Sequence, residues 1–89
     1  MQKLIAHRLY TEDVNRESIV QILNKYFPLN GYTLIPSIGY WNGAGEQSLI
    51  IEMIGASHIA VASVADDIKE VNNQEVILHT WQEIRTELR

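Results

Sequence analysis

YTLIPSIGYWNGAGEQSLIIEMI, residues 32–54, places two apolar runs on either side of an Asn42-Gly43 pair. Asn-Gly supplies the positive φ angles that tight hairpins require. The run before it, residues 32–41, and the run after it, residues 46–54, therefore read as two antiparallel strands. Pro36 has no N–H to give a ladder, so its strand belongs at a sheet edge. In the second run Leu49, Ile51 and Met53 point one way and Ser48, Ile50, Glu52 and Ile54 the other. The glycines of this window also invite comparison with a phosphate-binding loop. Such a loop needs Lys-Ser/Thr after its last glycine and a helix opening there. Here Gly45 is followed by Glu46-Gln47 and a strand.

Outward from the hairpin, the chain supplies the remaining elements of a two-layer domain. Residues 3–10, KLIAHRLY, read as a strand. Asn15 is a fitting N-cap for a helix whose apolar stripe is Ile19, Ile22, Leu23 and Tyr26, closed by Phe27-Pro28. Asn30-Gly31 marks a turn. Ser57 caps a second helix carrying Val61, Val64, Ala65, Ile68 and Val71 at helical spacing. Residues 75–79, EVILH, read as the last strand. Thr80-x-x-Glu83 is a capping-box pattern, which predicts a short terminal helix with Trp81, Ile84 and Leu88 on one side. The order is ferredoxin-like β-α-β-β-α-β: a four-stranded antiparallel sheet with two helices on one face, plus a short C-terminal helix. That topology puts the strand after the first helix at an edge, in agreement with Pro36.

The 89 residues fit a single domain over 1–89, and 46% hydrophobic with 20% charged residues argues for a folded chain. No cysteine is present, which removes disulfides and thiolate chemistry. Eleven acids against seven scattered bases give a net charge of −4. Nucleic acid is not an expected partner of such a chain. No segment has the length and apolarity of a membrane span or a signal peptide, so a cytoplasmic location is expected.

Scattered positions resemble an uncharacterised family of small bacterial proteins, a domain of unknown function. They are Leu9-Tyr10, Phe27-Pro28 before Gly31-Tyr32-Thr33, Gly39-x-Trp41, Ser48, and Gln74-Glu75-Val76. The resemblance spans most of residues 9–78. It implies the ferredoxin-like fold and no known activity. The terminal helix and the short N-terminal region depart from the family's pattern.

Chemistry is sparse. No serine stands in a nucleophile elbow. The histidines His7, His58 and His79 have no HxH or HxxxH spacing, so no metal and no cofactor is expected. The topology makes the first and last strands neighbours, which permits a cluster of His7, Glu52 and His79. The more informative feature is a second sheet face. With Leu34, Ile38, Leu49, Ile51, Met53, Val76 and Leu78 under the helices, the other face carries Ile35, Trp41, Ile50, Ile54 and Ile77, with Glu52 and His79 among them. A solvent-facing antiparallel sheet normally turns polar; this one stays apolar and requires a cover, which the terminal helix through Trp81, Ile84 and Leu88, a second copy of the chain, or another protein could supply.

Two functions fit. The first is a non-enzymatic interaction module, a homodimer or a dock for another protein, using Ile35, Trp41, Ile50, Ile54, Ile77 and Trp81. The second is a small-molecule sensor or small enzyme with His7, Tyr40, Glu52 and His79 around a pocket.

Overall fold

A computed structural model describes residues 2–29 and 31–89. Along the chain run β1 (Gln2–Glu12), α1 (Arg16–Tyr26), β2 (Thr33–Trp41), β3 (Ala44–Ile54), α2 (His58–Asn72) and β4 (Leu78–Thr86). The strands form one sheet in the order β2-β3-β1-β4, antiparallel throughout. The ferredoxin-like arrangement is as expected, and Pro36 lies on edge strand β2.

The hairpin between β2 and β3 is two residues long. Asn42 and Gly43 adopt φ of 52° and 80°, and Trp41 pairs with Ala44 across the turn. These are the signs of a type I′ turn, whose twist matches that of the flanking strands. β3 starts two residues earlier than expected and takes in Gly45. A Cβ there would sit 3.1 Å from the Tyr40 ring, which packs over the glycine backbone.

Both helices cover one face of the sheet. Ile19 and Leu23 of α1 and Val61, Val64 and Ile68 of α2 are fully buried. They meet Leu9, Leu49, Ile51 and Met53 from the two central strands, with Phe27 at the end of α1. Ser57 caps α2 as expected, its Oγ accepting from the Ala60 N–H at 3.1 Å. Asn15 does not cap α1 with its side chain. It sits in the left-handed region and its Nδ2 donates to the Val71 carbonyl at 3.0 Å, tying α1 to the end of α2. Val71 itself is exposed. Asn72 takes the inward position, donating to Thr11 and Gln74. Asp67 of α2 accepts from the Tyr26 hydroxyl at 2.9 Å. Asn30, from the expected Asn30-Gly31 turn, lies outside the described residues.

The expected terminal helix is a strand. β4 begins at Leu78 and continues through Thr86, in register with β1 from Tyr10 back to Gln2. The capping-box signal is purely local. It is outweighed by an eleven-residue β1 whose free edge would otherwise leave a row of backbone groups unpaired. Thr80, Trp81 and Ile84 are also good strand residues. Leu88, expected on the same side of that helix as Trp81 and Ile84, is fully exposed.

The same change reverses the faces of β4. Leu78 pairs with Tyr10 on the open face, whereas His79 pairs with Leu9 and Trp81 with His7 on the helix face. Ile77 packs against the core and Val76 is exposed. A one-residue slip in parity exchanges every side chain of a strand. Ile38 has the expected facing but lies beyond the helices and stays exposed.

Candidate functional site

Two features stand out: a cluster of three histidines under the helices, and an apolar row across the open face.

β1 delivers His7, β4 delivers His79, and α2 begins with His58. His7 Nδ1 lies 3.0 Å from His79 Nε2. The ring centroids are 5.2 Å apart for His7–His79, 5.7 Å for His7–His58 and 4.8 Å for His58–His79. One nitrogen from each ring lies within 4.8 Å of the other two. Trp81 closes one side, its ring 4.8 Å from His58 and 5.1 Å from His79. His7 is 2% exposed. Burial pushes its imidazole below the usual 6.5, against a backbone hydrogen bond at Ala56 that works the other way; the positive charge of a protonated His58 adds to the lowering. His79 is lowered by burial, then by its two histidine neighbours. Neutral rings are therefore favoured, and a neutral imidazole offers a lone pair.

His7 and His79 come together as the topology allows, but Glu52 is not with them. Glu52 points to the open face, where its Oε2 accepts from Arg8 Nε at 2.9 Å. Tyr40 lies at the hairpin, exposed. The third member of the cluster, His58, is one that ligand spacing along the chain does not single out. The sequence does hold a signal for it: Ser57 as N-cap makes His58 the first residue of α2. α2 starts just after β3 ends, and the last residue of β3, Ile54, pairs with Ala6 beside His7.

The open face is organised in rows across the sheet. Ile35, Ile50, Tyr10 and Leu78 stand side by side on successive strands. The next row is Thr33, Glu52, Arg8 and Thr80, and beyond it Ile54, Ala6 and Gln82 follow. On the other side Ser37 and Ser48 share a 2.7 Å hydrogen bond. Of the residues expected here, Ile35, Ile50, Ile54 and Trp41 are present. Ile77 and Trp81 face the helix side, and Tyr10, Leu78 and Ile84 join instead. Leu78 is 61% and Trp41 75% exposed.

A cleft of about 660 Å³ opens between the hairpin and the loop after α2, with Tyr40 and Trp41 on one wall and Val76 on the other. Its described lining residues include Glu12, Glu46 and Glu75 and no Lys or Arg. The histidine cluster is not part of it. No helix among the described residues is long and apolar enough to cross a membrane.

No family model and no curated protein matches the sequence. Solved structures do match in shape. A DUF3240 family protein from Shewanella baltica OS155 is 15% identical with a TM-score of 0.72, covering 100% of this chain and 98% of that one. CPII, a nitrogen regulatory PII-like protein from Thiomonas intermedia K12 solved with ADP, AMP and bicarbonate, is 12% identical with a TM-score of 0.69, covering 99% and 97%. GlnK of B. subtilis, solved with ATP, is 20% identical with a TM-score of 0.62, covering 92% and 82%. At these identities the likeness is one of fold: the chain has the ferredoxin-like architecture of PII-like proteins and of an uncharacterised small family.

Proposed function

We propose that this chain is a non-catalytic binding module with a regulatory role, which associates with a second copy of itself through the open face of its sheet. The observation that carries this reading is the row Ile35–Ile50–Tyr10–Leu78. It gives a continuous apolar band across all four strands, on a face that neither helix covers. An antiparallel sheet exposed to water alternates to polar side chains. Beside the band lies the Arg8–Glu52 pair, one charge of each sign. Two copies related by a two-fold axis can set Arg8 of each against Glu52 of the other, so the face is complementary to itself. That favours a second copy over an unrelated partner. Likeness in fold to PII-like proteins, regulatory by their description, agrees with the regulatory reading.

The alternative of a small-molecule sensor finds its support in the cleft beside Tyr40 and Trp41. Structures of the same fold hold adenine nucleotides. The carboxylates of Glu12, Glu46 and Glu75 make this cleft unfavourable for phosphate, so a single chain is better suited to an uncharged or cationic ligand. His7, Glu52 and His79 do not line the cleft.

Sedimentation equilibrium of the purified protein over micromolar concentrations tests the main reading. A particle of twice 10.2 kDa is expected. A monomer throughout that range overturns self-association.

A further inference from the structure

The three histidines come from sites far apart in sequence and from three different elements, yet their rings converge. His7 Nδ1 and His79 Nε2 face each other at 3.0 Å. Ligand nitrogens held about 2.0–2.1 Å from a tetrahedral ion stand roughly 3.3 Å apart. The His7–His79 spacing thus differs from a ligand pair by only a few tenths of an ångström. His58 is the outlying member, within the 4.8 Å limit of the set. It is exposed at the first position of α2 with its ring 4.8 Å from that of His79, and an exposed ring is free to reorient about its own side-chain bonds. His7 is locked by burial in β1, and the hydrogen bond at Ala56 engages the same ring. A hydrogen-bonded, oriented imidazole is what a metal ligand requires.

We infer that His7, His58 and His79 form a binding site for one late first-row divalent cation, with zinc as the representative ion. The donor set defines the class. Three imidazole nitrogens with no carboxylate among them suit zinc, copper, nickel and cobalt, and are poor for magnesium or calcium, which take oxygen. Three protein ligands leave one tetrahedral position for water or an anion. The start of α2 carries partial positive charge. It opposes the cation and favours an anionic group, such as hydroxide, in the fourth position. A bound ion would fasten edge strand β4 and the start of α2 to central strand β1. The consequence is a fold whose edge is held by metal supply.

The test is calorimetric titration of ZnCl2 into chelator-stripped protein carrying no histidine tag, at neutral pH. Saturable binding of one ion per chain is expected, with no comparable heat from MgCl2. His58→Ala and His79→Ala should each weaken zinc binding more than about tenfold, since even outer partners of ligating histidines cost that much. Both positions lie outside the buried core, and circular dichroism checks that the variants stay folded. Co2+ provides an independent readout: visible d–d absorption of a tetrahedral site, and quenching of tryptophan fluorescence that Trp81→Phe diminishes. Absence of saturable zinc binding by the folded protein overturns the site. Unchanged affinity in either histidine variant overturns the three-ligand assignment.

Discussion

Asn72 at the end of α2 donates from Nδ2 to the Oγ1 of Thr11 near the end of β1, 3.1 Å away. The same Nδ2 lies 2.9 Å from Gln74 Oε1, to which the Thr11 hydroxyl also donates at 2.6 Å. Three polar side chains thus join the close of the second helix to the central strand just before the chain turns into β4. Asn72→Ala removes the donor and leaves buried acceptors short of a partner. A loss of about 1–3 kcal/mol is expected in urea unfolding. A change within error would show that water replaces the amide.

Ile51 is fully buried on central strand β3 beneath the helices. Ile51→Ala should cost about 2–5 kcal/mol, the transfer loss plus the cavity. In a domain of this size, that is a large share of total stability. The midpoint of denaturant unfolding measures it. An effect below about 1 kcal/mol, well short of the usual cost of such a truncation, would mean the core collapses around the vacancy.

Gly43 has φ of +80° and no atom near where a Cβ would go. Gly43→Ala therefore meets no clash, and its cost is conformational, about 1–2 kcal/mol. Thermal unfolding should show the loss without any change in the circular dichroism spectrum. An unaltered melting curve would mean the hairpin accepts a different turn.

Leu78 is 61% exposed in the single chain, within the apolar row of the open face. Leu78→Glu should barely alter the stability of a monomer, yet bring charge into the proposed interface. The expected outcome is a shift from dimer to monomer in sedimentation equilibrium. A variant that remains dimeric would place the interface elsewhere.

The Arg16 guanidinium donates from Nε to Asp13 at 3.1 Å, and this hydrogen bond holds the Asp13 carboxyl below its ordinary 3.8. The folded value lies below the unfolded one. The stabilisation is therefore complete above the ordinary 3.8 and is lost as pH falls through the lower folded value. In an NMR titration of the side-chain carbons, Arg16→Ala should move Asp13 upward to the ordinary range. An unmoved titration would assign the lowering to another group.

Features governed by neighbours along the chain are legible in the sequence alone. Pro36, Asn42-Gly43 and Ser57 act within a few residues, and edge strand, turn and helix cap follow from them. β4 escapes such a reading because its cause is remote. Thr80 and Glu83 carry a helix signal between themselves, but the β1 residues that recruit them, Arg8 and Ile5, stand at the other end of the chain. With a strand in place of the helix, His79 changes face and Trp81 joins it beside β1, so the histidine cluster and the membership of the open face shift together. Ile35 and Ile50 keep their expected face because their parity is set by the hairpin beside them. His58 escapes because ligand spacing along a chain says nothing about three elements meeting at one corner.

Pro36 has a further bearing on how copies of this chain can meet. The outer rim of β2 lacks one amide donor in mid-strand, which interrupts the regular row that an incoming strand needs. The opposite rim, along β4, contains no proline from Leu78 to Thr86. Growth of the sheet by lateral addition is thus possible in one direction only. A chain that joins along β4 presents its own proline-bearing rim or its own β4. Antiparallel β4-to-β4 pairing exhausts both permissive rims after two copies. A fibre grown by edge pairing would instead have to use the interrupted rim of β2 at every second junction.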